Sequence, residues 1–80
     1  MAEFHEYDVV RVTQLLQPDR YYDGTQGVKR SPRVGDIGAI VHMPPGSNSW
    51  CIVESVDNDG LTIWLADFVA DELELVEAAK

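Results

Sequence analysis

The tetrad Asp57-Asn58-Asp59-Gly60 constrains the fold of this chain more than any other stretch. It separates residues 50–56 (WCIVESV) from residues 61–68 (LTIWLADF), both rich in β-branched and aromatic residues. Such residues fit a pleated, half-covered surface. Asn and Gly accept the positive φ angles that a tight hairpin turn demands. The two runs are therefore expected to be antiparallel neighbours. In the second run Leu61, Ile63 and Leu65 alternate with Thr62, Trp64 and Ala66, so both faces are apolar and the strand is expected to be largely covered.

The remaining runs are short. Residues 7–16 (YDVVRVTQLL) read as a strand with Val10 and Val12 on one side and Arg11 and Thr13 on the other. Residues 35–41 (GDIGAIV) open with a turn signal and become a strand whose two glycines point to a bulge or a close backbone approach. Residues 42–49 (HMPPGSNS) form a loop, because paired prolines and Gly46 cannot continue a ladder. Residues 17–34 sustain no period and are punctuated by Pro18, Gly24, Gly27 and Pro32, which predicts one long loop. Near the C-terminus, Ala70-Asp71-Glu72-Leu73 reads as a helical turn followed by a strand holding Leu73 and Leu75. The alternative is one helix over residues 66–79, since Ala, Glu and Leu are good helix formers. A helix would turn Leu73 and Leu75 about 200° apart, which favours turn plus strand. Together these features predict a mainly β fold, a small five-stranded SH3-like barrel with a long first loop and a short C-terminal helical turn. Residues 1–80 are expected to form a single domain, with residues 1–6 and 77–80 frayed.

Composition sets the class of partner. A chain of 80 residues buries about 63% of its unfolded surface, enough for one small core and too little for two. Apolar runs reach only about four residues, against the ~20 of a membrane-spanning helix. Residues 1–6 have neither a basic start nor an apolar stretch, so no secretory signal is expected. The net charge of −8 and pI near 4.4 repel nucleic acid and anionic membranes at long range, so neither is an expected partner. Cys51 is the one cysteine; it cannot form an internal disulfide, which agrees with a reducing, cytoplasmic setting. Its neighbours Trp50, Ile52 and Val53 predict a buried thiol acting as a small hydrophobe. Trp50 and Trp64 are both expected in the core, with a partly exposed one able to support a homo-oligomer.

Charge is unevenly spread. Residues 17–34 hold Arg20, Lys29, Arg30 and Arg33 against Asp19 and Asp23, a balance of +2 that leaves −10 on the rest of the chain. One reading folds this segment back onto its own acidic body. The other projects it as a basic loop that meets a protein partner, with Tyr21 and Tyr22 adding ring contacts. On the second reading the partner-binding residues are Arg20, Tyr21, Tyr22, Lys29, Arg30 and Arg33. On the first, a tyrosine staples the loop to the barrel.

Four pieces, in order, carry a family resemblance. They are Asp8-Val9-Val10, Gly35-Asp36-Ile37-Gly38-Ala39-Ile40-Val41, Val53-Glu54-Ser55-Val56-Asp57-Asn58-Asp59-Gly60 and Ala70-Asp71-Glu72-Leu73-Glu74-Leu75-Val76. The arrangement resembles a small bacterial SH3-like barrel family known as domain of unknown function 4926. The resemblance touches about half the chain and implies a non-enzymatic module; residues 17–34 are longer than its usual first loop. A shorter run, Arg30-Ser31-Pro32-Arg33-Val34-Gly35-Asp36-Ile37-Gly38, is similar to the SH3-like barrel of the nitrile hydratase β subunit. That similarity implies an accessory or subunit-contacting role, since the cysteine-rich metal motif of such enzymes belongs to the partner subunit.

Chemistry-bearing patterns are sparse. A nucleophile, base and orienting group would have to come from Cys51 with His5 or His42, which nothing local brings together. The two histidines lack metal-ligand spacing. Gly24-Thr25-Gln26-Gly27-Val28-Lys29 has the wrong glycine spacing for a phosphate loop and runs into Arg30-Ser31-Pro32 instead of a helix. Asp57 and Asp59 are explained by turn chemistry, and a barrel of this size has little room for the cleft that a catalytic carboxylate pair requires. The expected function is a non-catalytic protein-interaction module without a cofactor. The alternatives are an acidic inhibitor or immunity-type protein against a basic toxin or nuclease, resting on the carboxylates from Glu54 onward, and an accessory subunit of a hydratase-like enzyme.

Overall fold

In the computed structural model, which describes residues 4–46 and 49–79, six strands follow one another along the chain. They are β1 (Val9–Val12), β2 (Tyr22–Asp23), β3 (Ile37–His42), β4 (Cys51–Val56), β5 (Thr62–Phe68) and β6 (Leu73–Glu77). A 3-10 turn, Ala70–Glu72, stands between the last two. The strands form one antiparallel sheet in the order β2-β5-β4-β3-β1-β6. The fold is mainly β, as expected, but the five-stranded barrel is corrected to an open sheet of six. The added strand is β2, hidden inside the long loop, where two residues are too few to show a period.

The β4–β5 hairpin forms as its turn residues require. Asp57 Oδ1 accepts the amides of Asp59 and Leu61, each at 2.9 Å, and Gly60 takes a φ of 81°. In β3, Gly38 lies so close to β4 that a Cβ there would sit 2.7 Å from the Glu54 carbonyl oxygen and 2.7 Å from Val53 Cγ1. The close approach expected of this strand is thus real, and a register shift follows between Ile40 and His42. The C-terminal ambiguity resolves as turn plus strand, with Leu73 buried and Leu75 half-exposed beside it.

Val10, Val12, Ile40, Val53, Trp64 and Phe68 are fully or almost fully buried, and Phe4, Cys51, Ala66 and Leu73 complete the core. With no helix among the described residues to cover it, one sheet face buries itself this completely only by curling over its own core. Burying each large apolar side chain contributes about 1.5–3 kcal/mol. The Trp64 and Phe68 rings pack at 5.3 Å. Trp50, expected in the core, precedes β4 and is 39% exposed, with its ring 5.9 Å from that of His42. Within the segments expected to be frayed, Phe4 packs into the core and the Ala79 amide donates to the buried Asp8 carboxylate at 2.7 Å. Residues 1–3 and 80 of that expectation lie outside the described residues.

Candidate interaction surface

Residues 17–34 are bound to the sheet along their length. Tyr22 and Asp23 pair with Ala66 and Leu65 of β5. Beyond β2, the amides of Thr25 and Arg30 donate to the carbonyls of Thr62 and Ile63, at 2.8 and 3.1 Å. The strand edge is thereby extended by loop backbone, which satisfies polar groups that a covered loop would otherwise leave unpaired.

Two carboxylates hold two of the loop's four cations, Arg20 and Arg30. Arg20, whose side chain is 4% exposed, donates through a terminal guanidinium nitrogen to Glu72, which is fully buried. Its guanidinium carbon lies 4.1 Å from the centroid of the Phe68 ring. Glu72 also accepts the amides of Leu16 at 2.7 Å and Val69 at 3.0 Å. Burial pushes the Glu72 carboxyl up, but the Arg20 bond, those two amides and the Arg20 charge outweigh it and hold the carboxyl below its ordinary value. Arg20 lies two residues before β2 and Glu72 immediately precedes β6, the two edges of the sheet. This ion pair joins by side chains the edges that backbone pairing leaves open.

Asp36 is the second anchor. It accepts a two-pronged bond from Arg30 at 2.7 and 3.1 Å, the Arg33 amide at 2.9 Å and the Trp64 indole N–H at 2.8 Å. Burial raises its carboxyl, and these bonds, Arg30 foremost, bring it below the ordinary range. The Arg30 guanidinium is correspondingly raised, chiefly by its bond to Asp36. A planar fork on a carboxylate is the strong form of this interaction.

The six sequence candidates therefore do not assemble into one basic surface. The guanidiniums of Arg20 and Arg30 are turned to internal carboxylates, and Tyr22 packs half-buried against the core. Tyr21, Lys29 and Arg33 remain exposed, and Lys29 and Arg33 form no ion pair among the described residues. The folded-back reading describes Arg20 and Arg30, and the projecting reading describes Tyr21, which is 77% exposed. Sequence reasoning missed Glu72 and Asp36 as their partners. The available signal was the excess of positive charge in residues 17–34 of an acidic chain.

Tyr21 lines a groove of about 230 Å³ with Asp23, Ile52, Leu65, Ala66 and Asp67, on the side of the sheet away from the core. Elsewhere, Cys51 is buried, and burial, with the charges of Glu72 and Asp67, pushes its thiol up to about 11. Little thiolate exists there near neutrality. Among the described residues, no three His, Cys, Asp or Glu side chains converge as metal ligands, and no helix is long and apolar enough to cross a membrane.

No family model, curated protein or solved structure matches the chain.

Proposed function

We propose that this chain is a non-catalytic protein-interaction module built on an SH3-like curled sheet, with its contact surface where the long loop meets β5. The observation that carries this reading is Tyr21. It stands exposed between Arg20 and Tyr22, whose side chains anchor inward to Glu72 and to the core. An aromatic ring presented from a segment fixed on both sides loses little freedom on binding, which is the circumstance in which tyrosine contributes most to an interface. Lys29 and Arg33 are rim candidates, while Arg20 and Arg30 support the loop from within. A cytoplasmic setting belongs to the same proposal and is supported by the lone, buried Cys51.

The test is affinity capture from a lysate of the source organism, using tagged wild type, Tyr21→Ala and Arg33→Glu, with circular dichroism confirming that each variant folds. A specific prey retained by wild type and lost with Tyr21→Ala is expected. Retention of every prey by Tyr21→Ala removes the loop as the contact surface. The second reading, an acidic inhibitor of a basic protein, is favoured by the exposure of Asp59, Asp67, Asp71, Glu74 and Glu77. It requires association that collapses with salt and survives Tyr21→Ala.

A further inference from the structure

Strand pairing sets the chemistry of the groove beside Tyr21. Ile52 of β4 is opposite Asp67 of β5, and Asp23 of β2 is opposite Leu65 of β5, so these four side chains share the outer face. Ile52 and Leu65 are half-buried and form an apolar floor, while Tyr21 forms a wall. An adjoining recess of about 270 Å³ shares Asp23 and Leu65 and continues past Gly24, Thr25 and Thr62. Among the described residues, no lysine or arginine lines either part. The Asp67 carboxylate is exposed and makes no hydrogen bond or ion pair among the described residues, and the Asp23 carboxylate commits only Oδ1, to the Gly24 amide at 2.8 Å.

We infer that this groove receives a lysine or arginine side chain from an extended, basic segment of a protein partner. Those two residues alone combine a long apolar stem with a cationic head. The stem matches the Ile52–Leu65 floor, the head meets the carboxylates of Asp23 and Asp67, and the Tyr21 ring offers its negative face to the same cation. An acidic side chain is repelled there. A wholly apolar one strips water from two carboxylates and returns nothing to them. The inference rests on the interaction-module reading and names the partner chemistry of that surface.

The experiment is an amide-detected NMR titration of the full chain with the blocked pentapeptide Gly-Ala-Arg-Ala-Gly and its lysine counterpart. The controls carry citrulline or glutamate in place of the cation. The cationic peptides are expected to shift residues 23–25, 52 and 65–67, and the controls are not. Combined Asp23→Asn and Asp67→Asn should weaken binding roughly tenfold, the size expected of two exposed ion pairs. Tyr21→Ala should weaken it about threefold, and raised salt should weaken it further. Binding of the citrulline peptide equal to that of arginine overturns the inference. So do shifts centred on Asp57, Asp59, Glu74 or Glu77, or no shifts at all. A natural prey that is lost with Tyr21→Ala but indifferent to salt and to the two Asp→Asn changes leaves the module reading standing and removes only the cationic occupant.

Discussion

Glu72 is fully buried yet charged, because two backbone amides and the Arg20 guanidinium donate to it together. Its folded carboxyl lies below the ordinary value of 4.5, and that of Asp36 below 3.8. A carboxyl lowered on folding adds stability that is present above its unfolded value and lost as pH falls through its folded one. The urea midpoint is therefore expected to hold from pH 7 to about 5 and to fall progressively below pH 4.5. Glu72→Gln, less stable at pH 7, should show a shallower acid fall; an identical slope in wild type and variant contradicts the assignment. Little of this was legible residue by residue. Glu72 lies in Asp71-Glu72-Leu73-Glu74, where strand alternation sends it outward with Glu74, and only the 3-10 turn breaks that alternation. The burial of Cys51 was legible from its apolar neighbours, whereas nothing local said which of Tyr21 and Tyr22 packs on the core.

At the scale of elements, the hairpin and the glycine strand were legible for a physical reason: turn chemistry and backbone clearance are local properties. Gly38 and Gly60 separate the two. A Cβ at Gly38 meets the backbone and side chain of β4 within 2.7 Å, whereas at Gly60 it meets nothing and only the φ of 81° opposes it. Gly38→Ala is expected to cost about 1–3 kcal/mol, the range for overpacking, and Gly60→Ala about 1–2 kcal/mol, the left-handed penalty. A Gly38→Ala variant that loses almost nothing in a denaturant titration contradicts the close β3–β4 approach. Strand β2 was illegible because two residues carry no periodicity, and its pairing with β5 spans more than forty positions of sequence. The C-terminal strand was read correctly from the spacing of Leu73 and Leu75, which a helix face does not accommodate.

For the whole molecule, an open sheet becomes a closed core because the segments preceding its two edge strands meet through Arg20 and Glu72. The same closure turns Arg20 inward and leaves Tyr21 outward, over an acidic and apolar groove. Fold and proposed function therefore depend on one buried pair. Breaking such a pair by removing one member leaves an uncompensated charge and costs about 3–5 kcal/mol, whereas replacing both with apolar side chains of similar volume costs far less. That is a large share of the about 4–12 kcal/mol available to a domain of this size. The most direct measurement is a double-mutant cycle in urea with Arg20→Met, Glu72→Met and the double variant. Each single change is expected to lose about 3 kcal/mol or more, and the double to lose less than their sum by at least about 1.5 kcal/mol. Single changes that cost almost nothing and simply add would contradict the account, returning Arg20 to solvent and residues 17–34 to a projecting basic arm.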